Sequence, residues 1–199
     1  VSLMQRKATE NVKLSYWISW AMIAAIAFLV MKFEFPVIPM LGYLKMDFSD
    51  VIVTISALVF GPFGGVMVAL FKGLLGYLIS GANILSLVGE VAAFLASVAF
   101  ILPIYYIAGH GEVKNSRRIL GILAGIIGLT VVMSVANAFV LTPLYVKFSG
   151  FVLPKGMLNY IFTAIVPFNL VKGAINGIIV FILMKTAIPQ LKHFVAKRF

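Results

Sequence analysis

Residues 119–141, with the sequence ILGILAGIIGLTVVMSVANAFVL, form an apolar stretch of 23 residues without a charged side chain. An α-helix needs about 20 such residues to cross the hydrocarbon core of a bilayer. A helix also satisfies its own backbone hydrogen bonds, which lipid cannot do for it. The stretch therefore predicts a transmembrane helix and points to a membrane protein.

The composition of the whole chain agrees with this interpretation. Of its 199 residues, 62% are hydrophobic and 11% are charged, whereas a typical soluble domain is about half apolar and about a quarter charged. The chain has no cysteine, which excludes disulfides and thiolate metal sites. Its net charge of +10 could indicate nucleic-acid binding. The cations lie mostly at the edges of apolar stretches, however, as they do in membrane proteins, so we expect no nucleic-acid partner.

Six apolar segments predict an all-α fold, a single membrane-spanning bundle over residues 1–199. The segments cover residues 16–31, 48–60, 63–79, 87–108, 119–141 and 167–188. The second is short, which favours a helix packed inside the bundle. Lysine and arginine cluster before the first segment, between the fourth and fifth, and after the sixth. Because cytoplasmic loops are enriched in these residues, both termini are predicted to be cytoplasmic.

The loops predicted on the other side, residues 33–47 and 142–166, are rich in proline and large apolar side chains. A solvated loop is normally polar, so this composition predicts lids that fold back over the bundle. The alternative is that aromatic side chains anchor these loops at the membrane interface. Pro167 either begins the sixth helix or kinks a longer helix that starts near Met157.

Ionisable side chains inside the predicted spans are the main functional signal, because charges in lipid are costly and usually serve a purpose. Asp50 lies about 11 residues before the Gly61-Pro62 turn, and Lys72 lies about 10 residues after it. At 1.5 Å per residue the two are level on adjacent helices. They are therefore predicted to form a structural ion pair.

A second group of polar residues, Glu90, Asn137, Asn169 and Lys172, falls in the outer halves of the predicted spans. Asn169 and Lys172 are three residues apart and share a helix face. The group predicts a pocket that opens to the outside, with a few polar side chains in an apolar wall. The alternative is that Glu90 and Lys172 simply neutralise each other. With Asp50 and Lys72 the intramembrane charges sum to zero, which favours a neutral ligand.

Motifs for enzymatic chemistry are missing. The sequence has no phosphate-binding GxxxxGK[ST] loop and no metal-ligand cluster. We expect a binding subunit rather than an enzyme, without a metal or cofactor. Three pairs of small residues at four-residue spacing, Ala21/Ala25, Gly121/Gly125 and Gly173/Gly177, allow helices to approach closely.

Four strings carry a resemblance to a known family: FPVIPMLGYLKMDFSDV (residues 35–51), FGPFGGVMVALFKG (60–73), GEVAAFLASVAFILP (89–103) and VPFNLVKGAINGIIVFILMK (166–185). In order and spacing they resemble the riboflavin-specific S-component of energy-coupling factor (ECF) transporters. The resemblance implies a membrane subunit that captures riboflavin outside a bacterial cell. It also implies a membrane coupling subunit and two cytoplasmic ATPase subunits as partners.

The resemblance also implies roles for individual residues. Four of them, Asn169, Lys172, Glu90 and Asn137, would contact the ligand, and three more would lie in a lid over it: Leu44, Lys45 and Met46. Ala21 and Ala25 would dock on the coupling subunit. The chain departs from the family pattern at Gly73, where many relatives carry a polar residue.

Two other functions stay open from the sequence. The chain could be an S-component for another vitamin, or a stand-alone secondary transporter. A third and weaker alternative is a membrane enzyme that uses Glu90 as acid or base.

Overall fold

The structure is a computed structural model that describes residues 3–36, 44–109, 113–150, 152–153 and 156–198, with side chains from residue 14 to residue 195. The described chain is almost entirely helical. Its helices are α1 Leu3–Met31, α2 Ser49–Phe60, α3 Pro62–Ile79, α4 Ile84–Ala108, α5 Asn115–Ala136, α6 Thr142–Ser149, α7 Gly156–Tyr160, α8 Val166–Lys185 and α9 Ala187–Arg198. Two short strands, β1 Phe35–Pro36 and β2 Lys45–Met46, pair antiparallel.

Five helical stretches of the described chain are long and apolar enough to cross a membrane. They are Leu14–Met31, Pro62–Ile79, Ile84–Ala108, Asn115–Ser149 and Gly156–Lys185. Helix α2 has 12 residues and reaches about 18 Å, which is too short to span the hydrocarbon core alone. It packs against α1, α3, α4 and α8. The all-α bundle is as predicted, but five helices rather than six have the length of a span.

Two π-helical segments extend the spans beyond their predicted ends. Asn137–Leu141 joins α5 to α6, and Ile161–Ile165 joins α7 to α8. Each segment ends two residues before a proline, Pro143 or Pro167. A proline ring clashes with the carbonyl four residues back in a regular α-helix. Here the amide before each proline donates instead to the carbonyl five residues back, and the wider turn accommodates the ring.

These segments correct the interpretation of residues 142–166 as a loop, since most of that range is helical. They also decide between the two readings of Pro167. The proline lies inside one long helix that begins at Gly156, with an irregular turn before it.

Glycines set the spacing between several helices. A Cβ at Gly65 of α3 would lie 2.5 Å from the Cβ of Ala57 on α2. On α5, a Cβ at Gly125 would lie 2.7 Å from the carbonyl oxygen of Phe100, and on α8 one at Gly177 would lie 2.6 Å from Ile122. The glycine pairs noted in the sequence therefore serve helix packing within the chain. Gly61, between α2 and α3, has a φ of +90°, which favours glycine at this turn.

Candidate ligand-binding site

A cavity of about 600 Å³ opens at the end of the bundle where α1 and α5 finish and α4 begins. Its walls come from these helices, the first turns of α8, the residues around β2 and the α3–α4 connection. Its volume is within the range of pockets for small organic molecules. The cavity between these helix ends is therefore large enough to bind such a molecule.

Six of the seven predicted ligand and lid residues line this cavity: Leu44, Lys45, Glu90, Asn137, Asn169 and Lys172. The seventh, Met46, is 2% exposed and is not among the wall residues. It lies in a small apolar cluster with Leu44, Tyr160, Ile165 and Phe168. The described part of the predicted lid is thus packed onto the segment before α8, while its residues 37–43 lie outside the described residues.

Lys172 is held by two carboxylates. Its Nζ lies 3.0 Å from Oδ2 of Asp50 and 3.3 Å from Oδ2 of Asp47. Asp47 follows β2, and its carboxylate also accepts hydrogen bonds from the amide and hydroxyl of Ser49 at the start of α2. Lys172 thus ties α8 to the segment between β2 and α2. The pairing of Lys172 with Glu90, considered above as an alternative, is not what the structure contains.

Asp50 also faces the second intramembrane lysine. Its Oδ1 lies 3.6 Å from Nζ of Lys72. The ammonium of Lys72 donates to the hydroxyls of Ser49, at 2.9 Å, and Ser97, at 3.1 Å, and Ser97 donates to Asp50. The structure therefore brings Asp50 and Lys72 together as the sequence predicted, but within a larger network that Asp50 shares with Lys172.

The network consists of Asp47, Asp50, Lys72 and Lys172, each less than a tenth exposed. Two negative and two positive charges balance, so burial leaves no net charge. Sequence reasoning missed Asp47, Ser49 and Ser97. Asp47 precedes the predicted helix, and serines are too common in membrane helices to be singled out without a structure.

Glu90 projects from α4 into a notch on α3. A Cβ at Gly76 would overlap the Glu90 carboxylate, whereas one at Gly73 would lie 3.8 Å or more from any Glu90 atom. Oε2 of Glu90 is buried and has no hydrogen-bond partner among the described residues. A buried carboxylate oxygen normally has a partner. Glu90 itself lines the cavity, so its carboxylate can accept a hydrogen bond from an N–H or O–H group of a ligand.

Asn137 and Asn169 are placed by the π segments. Asn137 begins the first segment, and its side-chain amide donates to the carbonyl of Met133 at 2.8 Å. Asn169 follows the second segment and donates to the carbonyl of Ile165 at the same distance. Each amide group has a second N–H that can serve a ligand. Such π segments are frequent at functional sites.

Much of the remaining wall is apolar and includes Ala92, Ala93, Ala96, Met133, Leu141 and Phe168. Other polar side chains of the wall include Lys32, Glu34, Ser80, Asn83 and Ser86. Within the described residues, no three His, Cys, Asp or Glu side chains are grouped to hold a metal ion. The described part of the wall carries three carboxylates, three side-chain amides and three ammonium groups beside its apolar surface. This combination suits a molecule with a flat apolar part and polar edges. The fold and site define a membrane-embedded protein that binds a small molecule.

Ala21 and Ala25 lie away from this site, on α1. Both are exposed on the surface of the bundle, whereas their neighbours Ala24 and Ala27 are completely buried. The pair therefore differs from the glycine pairs of α5 and α8, which pack inside the chain.

Comparison with known proteins identifies the family. Residues 17–184 match the family of ECF transporter substrate-specific components. The chain belongs to this family, which confirms the resemblance seen in the sequence.

Similar proteins agree with this assignment. The chain is 37% identical over 181 residues to the riboflavin transporter RibU of Staphylococcus aureus, covering 88% of this chain and 92% of that protein. It is 34% identical over 177 residues to the riboflavin transporter FmnP of Bacillus subtilis, covering 85% and 92%. A solved structure of the S component of a bacterial ECF transporter superimposes with a TM-score of 0.72 and 37% identity, covering 92% of this chain and 98% of that one.

Proposed function

We propose that this protein is the riboflavin-binding subunit of an ECF-type importer, capturing the vitamin outside the cell. The observation that carries the proposal is the convergence of Glu90, Asn137, Asn169 and Lys172 on one cavity of about 600 Å³. Relatives that are 34–37% identical are named riboflavin transporters, which supports the choice of ligand.

The chemistry of riboflavin fits this cavity. The vitamin has a flat apolar ring system with a polar edge, a hydroxylated tail and no net charge at neutral pH. The apolar wall accepts the ring, and the amides and the Glu90 carboxylate can serve the polar edge and the hydroxyls. Because Lys172 is balanced by Asp47 and Asp50, a neutral ligand adds no unpaired charge to the site.

We further propose a multi-pass arrangement in a bacterial plasma membrane, with both termini in the cytoplasm and the cavity facing outward. Helix α2 would be a sixth, short membrane helix inside the bundle. The charge distribution supports this orientation. Lys114, Arg117 and Arg118, together with the cations that follow α8, lie at the end of the bundle away from the cavity, which is the pattern expected of a cytoplasmic face.

Membership of the ECF family supports a membrane coupling subunit and two ATPase subunits as partners. Ala21 and Ala25 are proposed to form the docking surface for the coupling subunit. The protein itself would be neither an enzyme nor a cofactor carrier, with riboflavin as its transported ligand.

Titration of the purified protein with riboflavin tests the ligand. The fluorescence of the flavin should be quenched as it enters the cavity. Tighter binding of thiamine or biotin would overturn the assignment in favour of another vitamin. Purification from cells in which the ECF module is expressed should recover the ATPase subunits. Riboflavin uptake by the chain alone in proteoliposomes would indicate a stand-alone secondary transporter instead.

A further inference from the structure

A second cavity, of about 560 Å³, lies at the opposite end of the bundle. It is formed where α4 ends, α5 begins and α8 passes into α9. Three of its described lining residues, Lys114, Arg118 and Lys192, are cations, and none is acidic. The acidic residue nearest in sequence to Lys114, Glu112, lies outside the described residues.

The cations of this cavity lack carboxylate partners in the described part of the chain. Lys114 is the N-cap residue of α5 and Arg118 lies in the first turn of the helix, so both positive charges belong to the start of α5. The ion pairs of the described residues include neither of them. From residue 113 to the C-terminus the sequence contains ten lysines and arginines and no acidic residue. This half of the chain therefore offers no carboxylate to balance the cations of the cavity.

Lys192 is fixed at the cavity rather than free in solvent. Its Nζ donates to the carbonyl oxygen of Gly109 at 2.8 Å, directly after α4. Its partial burial lowers the pKa of its ammonium group, and a neighbouring anion would oppose that shift. The ammonium is thus held in place at a position where an anion stabilises it.

The surroundings of the cations are apolar. Leu58, Met184 and Ile188 line the same cavity. Next to Arg118, the side chains of Ile119 and Leu120 are 48% and 56% exposed on the surface of α5. A soluble anion needs no such surface, whereas a lipid places its phosphate among cations and its acyl chains on neighbouring apolar side chains.

The depth of the cavity agrees with a lipid headgroup. Ala108 is the last residue of one candidate span, and Asn115 is the first of the next. Lys114 and Arg118 therefore flank the boundary between the hydrocarbon core and water, where phosphates of lipids lie. Helix α9 follows α8 directly, and Leu191 and Phe194 are exposed on either side of Lys192 and His193. Such a composition is typical of a helix that lies in the membrane interface.

We propose that this second cavity binds the phosphate group of an anionic phospholipid through Lys114, Arg118 and Lys192. Native mass spectrometry of the detergent-purified protein, titrated with phosphatidylglycerol or with phosphatidylcholine of the same acyl chains, tests the site. Phosphatidylglycerol should be retained with at least about tenfold preference, since each cation near an anionic lipid contributes roughly fivefold.

The variant Lys114→Gln/Arg118→Gln/Lys192→Gln should lose this preference. Arg117→Gln/Lys185→Gln is the control, because it removes two positive charges from the same end of the bundle at described side chains that do not line the cavity. The control variant should keep the preference. An equal loss in both variants would show a general effect of charge and overturn the site.

Two further measurements complete the test. Inorganic phosphate, added in excess to the wild-type protein, should not displace phosphatidylglycerol; displacement would identify a soluble phosphate compound as the occupant and overturn the lipid proposal. The melting temperature in phosphatidylcholine reports folding. If the triple variant unfolds, the double variant Lys114→Gln/Arg118→Gln replaces it, and retention of the full preference by a folded double variant would contradict the proposal.

Discussion

At the scale of single residues, the Glu90 carboxylate occupies the space where a side chain at position 76 would have to be. Glu90 also lines the cavity, where we propose that its carboxylate binds the ligand. The placement of this proposed ligand-binding carboxylate therefore depends on a residue without a side chain. No sequence motif marks Gly76, because glycine is common in membrane helices.

The variant Gly76→Ala should displace the Glu90 carboxylate without unfolding the protein, because the group that must move is the end of a flexible side chain. Riboflavin binding should weaken by about 1–3 kcal/mol, the usual loss for a buried polar partner. Gly73→Ala is the matched control. Its new Cβ would meet Glu90 at 3.8–4.0 Å, an ordinary contact, so its affinity in a fluorescence titration should equal that of the wild type. Equal affinities for both variants would contradict a ligand role for Glu90.

The network around Asp50 gives a second prediction at this scale. Asp50→Asn leaves two buried lysines with Asp47 as their one remaining carboxylate, and Lys72→Met leaves two buried carboxylates with Lys172. Either change should lower stability by about 3–5 kcal/mol, the cost of breaking a buried pair. The double variant Asp50→Asn/Lys72→Met retains the neutral pair Asp47–Lys172. It should therefore melt at a higher temperature than either single variant, and losses that simply add would exclude coupling between the two residues.

At the scale of the elements, hydropathy located α1 to α5 and α8, because a span must be continuous and apolar over a length fixed by the bilayer. It did not locate α6, α7 or α9. It did not locate the two π segments. They arise where Pro143 and Pro167 are held inside helices that tertiary packing maintains, whereas the sequence rule treats proline as a helix start or stop. Depth estimates placed Asp50 level with Lys72, but depth does not give rotation about the helix axis. Lys172 could therefore not be recognised as the second partner of Asp50.

The contact between α2 and α3 can be tested directly. Gly65→Ala would place a methyl group 2.5 Å from the Cβ of Ala57. This overpacking should lower the free energy of unfolding by about 1–3 kcal/mol. Moving the methyl group from one helix to the other, in Gly65→Ala/Ala57→Gly, should recover part of the loss. The recovery is incomplete because the Cα of residue 57, at 2.9 Å, and Cδ1 of Ile101, at 3.0 Å, also crowd the new Cβ. A double variant less stable than Gly65→Ala would show that this contact does not set the helix spacing.

At the scale of the whole molecule, the candidate site and the predicted docking surface are separate. The cavity is lined by the ends of α1 and α5 and the starts of α4 and α8. Ala21 and Ala25 lie near the middle of the candidate span Leu14–Met31 of α1, on the outer surface. Because the two surfaces share no described residue, substitutions can affect one function and leave the other intact. This separation is what a subunit requires if it binds its ligand alone and obtains energy from partners.

The last prediction uses this separation. Ala21→Trp/Ala25→Trp adds bulk to two exposed positions of α1, so the protein should fold and bind riboflavin with wild-type affinity. It should not recover the ATPase subunits on purification and should not support uptake, because a docking surface of small residues no longer allows close approach. The control Ile127→Trp/Val131→Trp carries the same bulk at the same spacing on α5, where both side chains are 55–61% exposed. It should keep binding, copurification and uptake.

Ala24→Trp, at a fully buried position between the two alanines, should instead lose folding and binding together. Normal uptake by Ala21→Trp/Ala25→Trp would exclude this face of α1 as the docking surface. If the α5 control lost uptake to the same extent, the loss would be a general effect of bulky side chains on the outer surface of the bundle and would not indicate docking through α1.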